Sequence, residues 1–290
     1  METDQGPEVR VAKLFTPLSV GALQLSHRIV TPLGVGQQPH PFPFDEYVQR
    51  VTQGGLVITG PRWLTPECVP RWRVLVEAVH ARGGLIVNHV SHPMRMYGNE
   101  VDLLDQQRID VILDELGVAA TLALRAGFDG VELDATTNSV FGQFLQDSTN
   151  RRSDRYGGTP EARVTLLSEA VQVLIDTWTT ESVSVRVSPW ASHDDDPREL
   201  FKTVVSSLSD QEIAYINLAH MEERSGAEEA QGDRELGATL RAASSTALFF
   251  SGRYSRKRAI ELVDRRVADA IGFHDASDQP DFISQLVDAA

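Results

Sequence analysis

Eight short β-rich runs, separated by stretches with the pattern of helices, constrain this chain more than any other feature. They are "RIVTPLGV" from Arg28, "GLVITG" from Gly55, "GLIVNHV" from Gly84, "GVELD" from Gly130, "VSVRVSP" from Val183, "YINLAH" from Tyr215, "ALFFSG" from Ala247 and "DAIGFH" from Asp269. Most are continuously apolar rather than alternating, as parallel strands covered on both faces must be. Between them, Ile109, Ile112, Leu113, Leu116, Ala120 and Leu124 mark one apolar helix face, and Val164, Leu167, Val171 and Leu174 mark another. The pairs Gly54–Gly55 and Gly83–Gly84 stop helices just before strands. Strands and helices alternating eight times predict an α/β chain closed as a (β/α)8 TIM barrel. Such a barrel typically takes ~250 residues, so residues 1–290 are expected to form one domain, with 1–12 as a tail. Upstream, "LSVGALQLSHR" reads as a hairpin that plugs the barrel floor.

A net charge of −14 argues against nucleic acid or an anionic membrane as partner, since both call for a basic surface. One cysteine, Cys68, excludes a disulfide framework and a multi-cysteine zinc site. No apolar run is long enough to span a membrane, and "METDQGPEVR" is not a secretory leader, so a cytoplasmic location is expected. The expected partner is a small-molecule substrate, and a homo-oligomer is compatible with the sequence.

Chemistry in such barrels gathers at the C-terminal strand ends. Here those ends supply Pro32 and Gly34, Gly60, His89 and His92, Asp134, Arg186 and Ser188, His220, Ser251 to Arg253, and His274 with Asp275. Four of the chain's eight histidines therefore fall on one rim, with an aspartate and two arginines. Trp63, Trp72 and Trp178 read as packing residues, whereas Trp190 directly follows the fifth barrel strand and is placed to line the mouth. "HDDDPRE" from His193 reads as an acidic helix cap, and "SRKR" from Ser255 as the start of a solvated helix face.

The segments "LFTPLSVGALQLSHRIVTPL", "AGFDGVELD", "QFLQDSTNRRSDRYGGTPEAR" and "VSVRVSPW" resemble the old yellow enzyme family of FMN-dependent ene-reductases, and the likeness runs through nearly the whole chain. It implies a (β/α)8 barrel, here with shortened lid loops after the first strand and after "HVSHPMR". It also implies residues that this chain does not have. Where the family places a substrate-binding histidine, an asparagine or second histidine, and a tyrosine proton donor, this chain has Asp134, Thr137 and Ser139. The flavin-contacting glutamine is His89. His92 and Arg95 keep their places, although the glycine before the arginine is Met94. Arg186, which the resemblance puts at the flavin N1 and O2 edge, is retained. At the phosphate end a glycine pair becomes Gly252–Arg253, and a Gly-Arg pair becomes His274–Asp275.

A kept scaffold around a replaced site leads to the expectation of an enzyme that works without a cofactor, by acid–base chemistry (isomerisation, cyclisation, or elimination and addition) on a biosynthetic intermediate. Asp134 is expected as general acid or base, His89 and His92 as its proton partners, and Arg186 as oxyanion stabiliser. Thr137, Ser139, His220, Trp190, Arg253 and His274 are expected to bind substrate. The alternative is an FMN-dependent oxidoreductase with a remodelled site, in which Pro32, Gly34, His89, Arg186, Gly252 and Arg253 hold the flavin. A metal site from His89, His92, Asp134 and His220 has suitable ligand types, but His89 and His92 are three apart and would face opposite sides of a straight strand, so no metal is expected. A non-catalytic barrel serving as a partner protein is opposed by the clustered rim histidines.

Overall fold

The computed structural model describes residues 11–33, 44–94, 100–191, 196–219 and 227–274. Its first strands, β1 (Leu18–Val20) and β2 (Leu23–Leu25), pair antiparallel with Leu18 opposite Leu25. Eight parallel strands then close a barrel: β3 (Ile29–Pro32), β4 (Leu56–Ile58), β5 (Leu85–Val90), β6 (Gly130–Ala135), β7 (Val183–Val187), β8 (Tyr215–Ala219), β9 (Ala247–Gly252) and β10 (Ala270–Phe273), with β10 returning to pair with β3. Each predicted β-rich run contains one of these strands. Around them lie α1 (Phe44–Gln49), α2 (Val69–Ala81), α3 (Gln106–Ala126), α4 (Val140–Leu145), α5 (Pro160–Thr177), α6 (Pro197–Asp210), α7 (Ala227–Ala242) and α8 (Arg256–Asp264). The shortened lid loops read from the sequence fall largely on residues 34–43 and 95–99, outside the described residues.

Strand alternation sorts the side chains into two cores. Val131, Leu133 and Ala135 of β6 pack outward among Ile109, Ile112, Leu116, Val164, Leu167 and Val171 of α3 and α5. Inside, the lower barrel is filled by Val30, Leu56, Ile58, Val87, Tyr215, Phe249 and Ala270, against which the hairpin sets Val20, Leu23 and Leu25. This apolar plug closes the floor. Above it, the inward positions turn polar.

The helices begin where the sequence provides caps. Asp105 accepts from Arg108 N at 2.8 Å at the start of α3, and Asp196, the last acid of "HDDD", accepts from Glu199 N at 3.1 Å at the start of α6. Ser255 does the same for α8. At Gly83 the chain turns with φ +74°, a conformation open to glycine, and re-enters β5 directly. The segment "NRRSDRYGG" is a latch. Asn150 donates to the carbonyls of Phe144 and Tyr156 at 2.6 and 2.7 Å, and Arg152 donates to those of Val101 and Leu104 at 2.8 and 2.6 Å. It ties the loop after β6 to the one after β5. Trp72 packs edge-on against Tyr47, and Trp178 donates from Nε1 to Ala120 O at 3.1 Å.

Candidate active site

Since side chains alternate along a strand, Glu132 and Asp134 of β6 both face the barrel interior, as do His89 of β5, Arg186 of β7 with Ser188 just after it, Asn217 of β8 and Ser251 of β9. Glu132 is the centre of this polar layer. It is fully buried, with Arg186 Nε 2.7 Å and His89 Nδ1 2.9 Å from Oε1, and it accepts from Asn217 Nδ2 at 2.8 Å on Oε2. The Arg186 and His89 N–H directions meet Oε1 obliquely, so these are close polar contacts rather than linear hydrogen bonds. Burial by itself penalises a carboxylate, but Arg186 and His89 outweigh it and hold Glu132 down at about 2. Below, Tyr215 stacks on Phe249 at 4.1 Å. Burial, then the charge of Glu132, pushes its phenol well above the ordinary value. Sequence reading missed Glu132. Its signal was its place two residues before Asp134, hence on the same face.

One position nearer the mouth, Asp134 is engaged by its own loop. Oδ1 accepts from Thr136 N at 3.0 Å and from Thr136 Oγ1 at 2.6 Å, and Oδ2 accepts from Ser91 Oγ at 2.7 Å. His89 Nε2 is 3.8 Å from Oδ2, beyond hydrogen-bond reach. Asp134, His89 and Arg186 thus converge. Several of the other expected site residues are directed elsewhere. His92 turns to α3, where Nε2 meets Glu115 Oε2 at 3.0 Å, Nδ1 accepts from Met94 N, and the ring packs edge-on against Trp63 at 4.8 Å. Burial lowers its pKa against the pull of Glu115. Ser139 caps α4, accepting from Gly142 N at 3.0 Å while donating to Thr136 O at 2.9 Å. A Cβ on Gly142 would lie 1.8 Å from Thr136 O, so only glycine lets α4 start this close to the strand end. Thr137 offers its carbonyl to Gln146 Nε2 at 3.3 Å, and the half-buried Trp190 packs edge-on against Phe250 at 5.5 Å. Gly34, Arg95, His220 and Asp275 lie outside the described residues.

The mouth keeps unmet hydrogen-bonding capacity. Arg186 Nη2, Ser188 Oγ, Ser251 Oγ and His274 Nε2 are buried without a hydrogen-bond partner among the described residues. His274 directly follows β10, and its imidazole is held neutral, with a pKa lowered to about 3 by burial and then by Arg186 and Arg253 against the opposing Glu132. Burial would penalise a charge of either sign here; only the smaller share due to Arg186 and Arg253 is specific to a cation. Among the described residues, no group of three or more His, Cys, Asp or Glu is placed to hold a metal ion.

A closed parallel barrel is a scaffold that many enzyme classes use, so the class of this chain comes from its relatives. The chain belongs to the NADH:flavin oxidoreductase / NADH oxidase family, whose sequence model matches residues 88–285, and is a member of its old yellow enzyme group. It is 28% identical over 331 residues to 12-oxophytodienoate reductase 7 of Oryza sativa subsp. japonica, covering 90% of this chain and 84% of that one. Morphinone reductase, solved with tetrahydroNAD, superposes with a TM-score of 0.81 at 25% identity, covering 96% of this chain and 91% of that one. The old yellow enzyme homologue from Zymomonas mobilis superposes at 0.80, also at 25% identity, with coverage of 96% and 93%.

These relationships correct the expectation of a cofactor-free enzyme, because the family and its relatives point to FMN. The expectation went astray by weighing individual replaced contacts above the retained donor set. That set fits the group. Arg186 Nη2, Ser188 Oγ and Ser251 Oγ are unspent buried donors suited to the carbonyl edge and hydroxyls of a flavin. Arg253, just after β9, carries a guanidinium suited to its phosphate. Pro32 and Gly252 stand at the buried ends of β3 and β9.

Proposed function

We propose that this protein is an FMN-dependent oxidoreductase acting on a small-molecule substrate. The observation that carries the reading is Arg186. Its guanidinium is buried and fixed by Glu132 on one side, while Nη2 remains unspent on the other. A buried arginine donor without a partner is costly unless a ligand oxygen meets it. In this reading Arg186, Ser188 and Ser251 hold the polar edge of the flavin, and Arg253 with the Gly252 backbone holds its phosphate. When bound, FMN supplies hydride transfer.

The chain's own groups do the rest. The hairpin floor excludes water from below, so the Glu132–Arg186 pair works in a low-dielectric setting where its orientation is well defined. Asp134 is anchored at the mouth by the donors of Thr136 and Ser91. His89 is the group between these two carboxylates that can hold or release a proton.

Fluorescence titration of the purified protein with FMN tests the reading. Saturable quenching with a micromolar or tighter dissociation constant is expected, weakened about tenfold or more in Arg186→Met through loss of a charge-assisted contact. Absence of saturable binding by the wild-type protein overturns it.

A further inference from the structure

His89 lies between two carboxylates that differ in how they can use it. Glu132 Oε1 is 2.9 Å from Nδ1, while Asp134 Oδ2 is 3.8 Å from Nε2 and already accepts from Ser91 Oγ. A bare imidazole nitrogen 2.9 Å from an ionised carboxylate oxygen would bring two lone pairs together where both side chains are buried. The hydrogen must therefore sit on Nδ1, even though its direction to Oε1 is oblique. The backbone adds to the constraint, since His89 N donates to Thr59 Oγ1 at 2.9 Å and fixes the strand from which the ring projects.

We propose that Glu132 is a positioning residue that fixes His89 as its Nδ1–H tautomer, so that the bare Nε2 faces Asp134 and the barrel mouth as the proton acceptor of the site. Arg186 completes the device. It shares Oε1 with His89, and its cation keeps Glu132 from taking the proton itself. When a ligand O–H or N–H at the mouth gives up its proton, that proton bonds to Nε2 and the electron pair stays on the ligand atom. The resulting imidazolium lies between Glu132 and Asp134, with the Arg186 guanidinium and the neutral His274 as the other titratable groups around it. The carboxylate behind the ring stays ionised throughout, which is the arrangement that orients a general base and stabilises its protonated form. The inference rests on the barrel mouth being the ligand site, as proposed above, but it does not require FMN to be the ligand.

The test reads the ring directly. In protein labelled with ¹⁵N-histidine, multiple-bond ¹H–¹⁵N spectra distinguish Nδ1–H from Nε2–H, and His89→Gln identifies the signals. The expected result at neutral pH and above is a His89 pattern with hydrogen on Nδ1, which loses its dominance to Nε2–H in Glu132→Gln. A wild-type ring carrying its hydrogen on Nε2 overturns the proposal, as does an unchanged pattern in folded Glu132→Gln. Should Glu132→Gln fail to fold, the wild-type spectrum alone decides. Because no flavin is needed, failure here is separable from failure of the FMN titration.

Discussion

Asp134 shows how a rim carboxylate can be committed before any ligand arrives. Three donors, Thr136 N, Thr136 Oγ1 and Ser91 Oγ, converge on its two oxygens. Asp134→Asn swaps one of those oxygens for an NH2 group that must face a donor, whichever way the amide is turned. Hydrogen bonds to charged groups are worth about 1.5–3 kcal/mol, so the variant is expected to lose about 1–3 kcal/mol of stability in urea unfolding. An unchanged midpoint would mean that the loop after β6 does not depend on this carboxylate. The residue was legible in the sequence as a charge at a strand exit, but its partners were not. The same holds for His92, captured by Glu115 from a helix 23 residues further on, a pairing that no local pattern announces. Glu132 was hidden for a different reason: within "GVEL" a single charge reads as a flaw in an apolar run. Only the alternation of the strand places it beside His89 and Arg186.

At the scale of elements, the barrel was readable because each strand is a compact apolar run and α3, α5, α6 and α8 carry their own side-chain caps. The latch after α4 was readable as structure, though not as contacts. Its Asn150 amide satisfies two buried carbonyls, those of Phe144 and Tyr156. Asn150→Ala strands both, at about 1–3 kcal/mol for a buried group left unsatisfied. The expected result is a destabilised protein in thermal unfolding, with protease cleavage appearing first in residues 146–158. A variant that melts with the wild type would show that water replaces the amide and that the latch holds through Arg152 instead. What the sequence could not supply was the direction of a side chain leaving a rim loop. Ser139 illustrates this: its place near the strand end reads as a binding position, yet the start of α4 claims its hydroxyl.

Across the whole molecule, the buried histidines make stability depend on acidity with a definite sign. His27, beneath the barrel, accepts from Ile29 N on Nδ1, and burial lowers its pKa against that hydrogen bond. His92 is lowered by burial as well, and His274 is taken down to about 3. Each is neutral in the folded protein at a pH where the unfolded chain, with ordinary histidines near 6.5, binds a proton. Their contribution is therefore complete above about 6.5 and is lost as pH falls, by up to ~1.4 kcal/mol per pH unit for each group. Glu132 adds a second, more acidic phase. Its folded value of about 2 lies below the ordinary carboxylate range, so its contribution is complete above about 4.5 and is lost as pH falls toward 2. Urea unfolding measured from pH 7.5 to 5 is expected to show stability falling with acidity. His274→Gln, which keeps a polar side chain but cannot titrate, should remove about one proton's share of that slope while leaving the shares of His27 and His92. If the slope of His274→Gln matches the wild type, His274 takes up its proton as freely in the folded barrel as in the unfolded chain. Its burial beside Arg186 and Arg253 would then carry no penalty for the cation.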